Sequence, residues 1–455
     1  RQYTERIDKV KLDKLKVSAA EINEAERSVP DSLKKAIAQA SKNIEKFHAS
    51  QKIQGKIIET VPGVKCWQKA VAIEKVGLYI PGGTAPLFST VLMLGIPAVI
   101  AGCTEIVMCT PPGKEGKINP AILYAANLIG IKHIFKIGGV MAIGAMAYGT
   151  HTVPAVYKIF GPGNQYVTTA KMLVNREGIA IDMPAGPSEV VVIADETANP
   201  DYVSYDLLSQ AEHGKDSQVL LLTTNEKVIE PVMQSLQKNL QTLDRKEMAE
   251  ASLKNSKCIL FSNKNELMDF CNAYAPEHLI IETKDHITLG EKVINAGSVF
   301  LGHLTPESAG DYASGTNHTL PTNGYAKTYS GVNLDSYIKK ITYQLIDKQG
   351  MKNIGNVIEL MAENELLGMA GHQISGQAQA GEEIGVRAVL FETRRVLGRM
   401  AVCRRSTGRL LLAGFAGRLL HGLLQHFFDL FFGHGFGFGR THEFSFPGWV
   451  DLENR

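Results

Sequence analysis

Ile106-Val-Met-Cys109, Asn119-Pro120-Ala-Ile-Leu-Tyr-Ala-Ala-Asn-Leu-Ile-Gly130 and His133-Ile-Phe-Lys-Ile137 decide the fold of this chain. The outer two are short apolar runs, followed by Pro111-Pro112 and by Gly138-Gly139. The segment between them is punctuated as a helix, with Asn119 as N-cap, Pro120 in the first turn and Gly130 at the stop. Strand, helix and strand in that order make a βα unit, and the pattern recurs. Further strand-like runs are Val156–Phe160 before Gly161-Pro-Gly, Glu189–Ile193, Val219–Thr223, Cys258–Phe261, Leu279–Glu282 and Ser298–Leu301, separated by helical stretches.

Repeated βα units predict an α/β fold of two doubly wound, incomplete Rossmann-like domains. In such sheets ligands sit at the carboxyl ends of the strands, where the glycine-rich turns fall. Residues 1–73 read as a helical N-terminal segment leading into the first α/β domain, since Leu33, Ile37, Ala40 and Ile44 recur at helical spacing. Residues 74–188 form the first α/β domain, which carries the glycine-rich turns, and residues 189–330 the second, which carries the polar chemistry. Residues 331–372 form a C-terminal segment with a helix near Met351–Asn364. The opening at Arg1, without Met and inside a helical pattern, implies a preceding N-terminal piece.

After residue 372 the composition breaks. Residues 1–372 hold 33 Lys and 5 Arg, whereas residues 373–455 hold no Lys and 10 Arg. That change marks 373–455 as an atypical extension, foreign or frame-shifted and not an evolved domain, with a Gly/Phe-rich interaction tail as the alternative. His421, His426, His434 and His442 are too irregularly spaced to be given a metal site.

A chain of 455 residues exceeds a single core, and 44% apolar with 21% charged residues is ordinary for a globular protein. A formal charge of +2 provides no general attraction to nucleic acid or to membranes. Cys66, Cys103, Cys109, Cys258, Cys271 and Cys403 include no C-x-x-C pair and read as reduced thiols of a cytoplasmic protein. Cys103 and Cys109 lie in apolar runs, which favours packing over nucleophilic catalysis. Val76–Thr104 is uncharged and long enough to cross a membrane, but Pro81-Gly82-Gly83, Pro86 and Pro97 break it, so no span is expected.

Four segments hold more polar chemistry than a core requires: Gln210-Ala-Glu-His213, Pro276-Glu277-His278, Ala309-Gly-Asp311-Tyr and Gly315-Thr-Asn-His318. Gln210 and His213, three residues apart near a helix end, share a face and can converge on one ion. The plainer reading makes His213 a carbonyl cap before Gly214. Asp311 is expected in a Gly-flanked loop, where it serves either as an inward ligand or as a turn residue. Glu277 and His278 stand at an element boundary as two bases of different strength, or else as a surface pair. His318 lies in a loop, facing a pocket or solvent. The turns Pro81-Gly-Gly-Thr-Ala-Pro86 and Gly161-Pro-Gly-Asn164 can bring backbone N–H groups to a pyrophosphate, though neither is G-x-G-x-x-G.

Together, the strings from Val76 to Thr90, Phe160 to Asn164, Asp182 to Glu189, Gln210 to His213, Pro276 to His278 and Gly315 to His318 closely resemble the histidinol dehydrogenase family, over about residues 2–365. The resemblance implies oxidation of L-histidinol to L-histidine with NAD and zinc, through an aldehyde that stays bound. It implies zinc coordination by Gln210, His213 and Asp311, with His278 taking the alcohol proton and Glu277 activating water. Ser188, Gln210, His213, His278, Asp311, His318 and Glu365 match substrate-contacting positions. Tyr79, Met141 and Asn164 match nucleotide-contacting ones. It further implies an intertwined homodimer in which 331–372 is the dimerisation segment. Two departures stand out. Met141 replaces a family Gln, and the family's zinc-binding His five residues after Glu365 is Ala370 here, leaving His372 as the candidate fourth ligand. The competing readings are a zinc hydrolase using Glu277-activated water, which needs no nucleotide, and a catalytically impaired relative.

Overall fold

The computed structural model describes residues 2–7, 9–82 and 86–367. Three helices come first, Gln2–Ile7, Ala19–Ser28 and Asp31–Ala49. Ser18 closes a capping box with Glu21 at the start of the second, and the third buries the expected stripe residues Ile37, Ala40 and Ile44. The segment then departs from the helical expectation. Strands β1 (Ile58–Val61) and β2 (Val64–Ala72) form an antiparallel hairpin whose turn has Gly63 at φ 84°. The β-branched and alternating residues of this stretch fit a half-buried strand better than a helix.

The expected parallel sheets follow. The first consists of β3 (Lys75–Tyr79), β4 (Glu105–Thr110), β5 (His133–Lys136), β6 (Lys158–Phe160) and β7 (Ala180–Ile181), in the order β5-β4-β3-β6-β7. The second consists of β8 (Glu189–Ala194), β9 (Gln218–Thr223), β10 (Lys257–Leu260), β11 (His278–Glu282) and β12 (Ser298–Leu301), in the order β10-β9-β8-β11-β12. All pairings within both sheets are parallel. Burial on both faces explains the unbroken apolar runs: β8 is buried at every position. The helix between β4 and β5 spans Pro120–Leu128, and the Asn119 side chain accepts from the Ala121 N–H at 2.9 Å, as its sequence predicts.

The run expected from Val156 starts its strand only at Lys158, because the Val156 N–H is spent on the Met146 carbonyl. Asp311, expected in a loop, lies in the helix Glu307–Tyr312. Gly310 is a poor helix former, but the Asp206 carboxylate accepts the otherwise unpaired Glu307 N–H and steadies the first turn. A last strand, β13 (Ile338–Ile346), pairs antiparallel with β2 and stacks Tyr343 on Trp67, with ring centroids 5.4 Å apart. Contacts divide the chain after Gly350; beyond it the described residues are the end of the helix Lys348–Asn364 and a turn to Leu367. Among the described residues no helix is long and apolar enough to cross a membrane. Residues 373–455 lie outside the described residues.

Gly161 ties the end of β6 to the first sheet. Its φ of 131° is reserved for glycine, and a Cβ there would collide with the Tyr79 carbonyl. Its N–H donates to the Asp182 carboxylate at 2.8 Å and its carbonyl accepts from the buried Lys171 ammonium at 2.8 Å, while Lys171 and Asp182 pair with each other. Gly161→Ala is therefore expected to cost about 1–3 kcal/mol of stability by backbone strain alone. Urea unfolding checks this, and a change below ~0.5 kcal/mol would contradict it.

Candidate active site

The two sheets present their chemistry at opposite kinds of edge. At the carboxyl edge of the first sheet a cleft of about 990 Å³ is lined by Tyr79, Thr110, Gly138, Met141 and Asn164 among others. This is where a doubly wound sheet is expected to bind a ligand. The Tyr79 hydroxyl accepts the Gly139 N–H at 3.1 Å, at the start of the helix Gly139–Tyr148. Asn164 caps the helix Gln165–Arg176, its side-chain oxygen accepting from the Tyr166 and Val167 N–H groups at 3.1 Å each. Met141 is half-buried and packs against the core behind the cleft. The Thr110 hydroxyl, on a residue with 0% exposure, has no hydrogen-bond partner among the described residues. Side chains at Gly82 and Gly138 would run into Pro111, so glycine keeps this floor close to the backbone.

In the second sheet the chemistry lies at the amino edge, contrary to the carboxyl-end expectation. Ser188 precedes β8, half-buried, with its carbonyl accepting the Gln218 N–H at 3.1 Å. His278 opens β11 beside it. The helix Pro200–Ala211 runs back over the sheet, so its last turn brings Gln210 to the same edge.

The backbone of Glu189 organises the group. Its carbonyl can only accept, so the His278 Nδ1, at 3.2 Å, carries the proton. The His278 Nε2 then holds a lone pair, buried and without a hydrogen-bond partner. Its nearest acid is the Asp311 carboxylate at 3.9 Å. The N–H of Glu189 donates to the Glu277 carboxylate at 2.9 Å. Because that N–H can only donate, the Gln210 amide is oriented with its oxygen toward it, at 3.3 Å, and its nitrogen donating to Glu307. His278 and Glu277 are 4% and 6% exposed.

Burial disfavours charge on every member. Desolvation pushes the His278 imidazole down to about 4, against the pull of Asp311, so it is neutral near pH 7. It raises Glu277 well above the usual carboxylate range, with Glu189 and Asp311 adding repulsion. Glu307 is raised in the same way by burial and then by Asp311 and Glu277. His318, with its side chain 15% exposed, is lowered by desolvation. Its Nδ1 donates to the Asp311 carbonyl at 3.1 Å and its Nε2 accepts from the Thr90 hydroxyl at 3.2 Å.

Ligand atoms of His278, Glu307 and Asp311 lie within 4.8 Å of one another, an arrangement that can hold a metal. Gln210 joins this group through Glu307. His213 stands outside the cluster, exposed, with Nδ1 donating to the Ser209 carbonyl at 2.8 Å. That bond leaves its Nε2 free as a donor atom, the arrangement usual for a metal-ligating imidazole. The donors that do lie together, a His278 ring nitrogen with the Glu307 and Asp311 carboxylates, are of the nitrogen and oxygen kinds that zinc accepts. Glu365 is exposed in the turn after Asn364, and His372 lies outside the described residues. Sequence reading missed Glu307 and Glu189. The signal for Glu307 was its position four residues before Asp311, a same-face pair once the segment is helical.

Buried acid–base residues at one sheet edge and a glycine-floored cleft at another define an α/β enzyme built on two parallel sheets. The family model for histidinol dehydrogenase matches residues 1–378. A histidinol dehydrogenase of Bacteroides thetaiotaomicron is 65% identical over 366 residues, covering 80% of this chain and 86% of the relative. One from Vibrio parahaemolyticus is 50% identical over 374 residues, covering 82% and 85%. The crystal structure of histidinol dehydrogenase from Elizabethkingia anophelis superposes with a TM-score of 0.82 at 57% identity, covering 83% of this chain and 88% of that one. The chain belongs to the histidinol dehydrogenase family.

Further along β11, Glu282 is 1% exposed and faces the Asp206 carboxyl, with the His303 Nδ1 3.8 Å away. Burial and then the Asp206 carboxyl push Glu282 up to about 8. The folded protein therefore holds a proton that the unfolded chain releases above about pH 4.5. This contribution is complete at low pH and is lost as pH rises toward 8. Glu282→Gln, which cannot ionise, should gain stability over the parent between pH 5 and 8, by at most ~1.4 kcal/mol per pH unit. Thermal or urea unfolding across that range checks this; parallel pH profiles would contradict it.

Proposed function

We propose that this chain oxidises L-histidinol to L-histidine in two NAD-dependent steps in histidine biosynthesis, with the intermediate aldehyde kept at the site. The observation that carries the reading is the buried Glu277–His278 pair, one a neutral imidazole whose Nε2 has no hydrogen-bond partner and the other a hydrogen-bonded carboxyl. Gln210, His213 and Asp311, with His372 as the fourth candidate, are the residues proposed to hold zinc. When bound there, zinc would anchor the substrate's imidazole and amine so that its carbinol faces the nucleotide. NAD bound over Tyr79, Met141 and Asn164 would accept the hydride of each oxidation.

The chain's own groups handle the protons. His278 Nε2 has a lone pair and no competing partner, so it accepts the alcohol proton as the carbinol is oxidised. Glu277, a stronger base in its buried setting than a free carboxylate, takes a proton from the water that adds to the aldehyde. Ser188, His318 and Glu365 are assigned to substrate contact. The glycine-floored cleft at the carboxyl edge of the first sheet favours this reading over a hydrolase.

The domain plan divides the chain at 74, 189, 331 and 373, supported by sheets contained within β3–β7 and β8–β12. A cytoplasmic homodimer completes the reading. Exposed Val357, Leu360 and Met361 on the helix Lys348–Asn364 support a subunit contact there.

The test is turnover of histidinol with NAD and added zinc, expected to yield two NADH per histidinol; no NADH from a folded, zinc-loaded chain would overturn the activity. His278→Ala should slow the first oxidation by ~10²–10⁴-fold. Glu277→Gln should act mainly on oxidation of the aldehyde supplied directly. Equal losses in both steps would contradict the division of labour.

A further inference from the structure

Glu307 is nearly fully buried, at 1% exposure, yet the two-base scheme gives it no proton to move. A buried carboxyl is costly unless its hydrogen bonds do something specific. Its hydrogen bonds to other elements run to one face of the helix Pro200–Ala211, and its carboxyl also lies 3.9 Å from the His278 Nδ1. The backbone N–H of Glu307 donates to the Asp206 carboxylate at 3.3 Å. Its Oε2 accepts from the Ser209 hydroxyl at 3.2 Å, and its Oε1 accepts from the Gln210 amide. Asp206, Ser209 and Gln210 stand at i, i+3 and i+4, so one turn of that helix grips one residue. The same residue fixes where Asp311 lies, one turn along its own short helix.

An amide presents either oxygen or nitrogen, and only oxygen can coordinate a cation. With Gln210 Nε2 committed to Glu307, the amide oxygen is turned away from that carboxylate, held by the forked Glu189 N–H, with a lone pair to spare. Without an acceptor at 307 the amide loses the bond that selects this rotamer.

We infer that Glu307 is a positioning residue that holds the Gln210 amide with its oxygen toward the metal and sets Asp311 against it. The inference rests on the proposed zinc role of Gln210.

The experiment measures zinc affinity of the full chain by competition with a chromogenic chelator, using zinc alone and no substrate. The variants are Glu307→Leu, Glu307→Gln, Gln210→Ala and the double variant Gln210→Ala/Glu307→Leu, each checked for folding by circular dichroism. Removing such a supporting group typically weakens metal binding by ~10–100-fold, and that loss is expected for Glu307→Leu. Glu307→Gln keeps an oxygen acceptor for the Gln210 amide and should hold zinc within about threefold of the parent. The double variant should bind no more weakly than Glu307→Leu and Gln210→Ala taken as one shared loss, showing that both act through one contact.

Parent-like zinc binding by a folded Glu307→Leu, or additive losses in the double variant, would overturn the inference. If Glu307→Leu does not fold, Glu307→Gln decides: a folded protein that has lost zinc tenfold or more overturns it. Should Gln210→Ala itself bind zinc like the parent, the ligand role of Gln210 falls, a different failure from that of Glu307.

Discussion

The backbone of one residue, Glu189 at the start of β8, sets the geometry of the site. Its carbonyl fixes which nitrogen of His278 carries the proton, and its N–H anchors the Glu277 carboxylate while facing the Gln210 amide oxygen. Backbone groups cannot reverse donor and acceptor roles, so the tautomer of His278, the anchoring of Glu277 and the amide orientation of Gln210 follow from the position of one strand. That position is itself constrained: β8 is the central strand of its sheet, paired in register with β9 and β11 and buried throughout. A shift by one residue would turn the whole apolar set over.

The placement at an amino edge has a simple cause. A helix that returns over a parallel sheet ends beside the beginnings of the strands. The last turn of Pro200–Ala211 thus meets the first residues of β8 and β11. The glycine-floored cleft, by contrast, uses the carboxyl edge of the other sheet. The helix Phe88–Ala101 connects the two regions, since its Thr90 hydrogen-bonds His318, which in turn bonds the Asp311 carbonyl.

Much of this was legible in the sequence. Asn119-Pro120 and Gly130 bounded a helix that the structure reproduces at Pro120–Leu128, and the apolar runs placed the parallel strands. The expectation failed where long-range bonds outweighed local preference. Gly310 spoke for a loop at Asp311, but Asp206, some hundred residues earlier, capped a helix there. No periodicity could reveal that Glu307 shares a face with Asp311 before the helix was known. Nor could composition reveal the Glu189 peptide, because a backbone group leaves no residue signature. The four polar segments were visible singly; their convergence with Glu307 and Glu189 required the fold.

The most direct test of the Glu189 constraint is nitrogen-15 NMR of the His278 ring in the metal-free protein, assigned by comparison with His278→Ala. The account predicts a neutral imidazole near pH 7 with the proton on Nδ1 and an unprotonated Nε2, ready to accept a proton. A ring protonated at Nε2, or charged at both nitrogens at that pH, would contradict it.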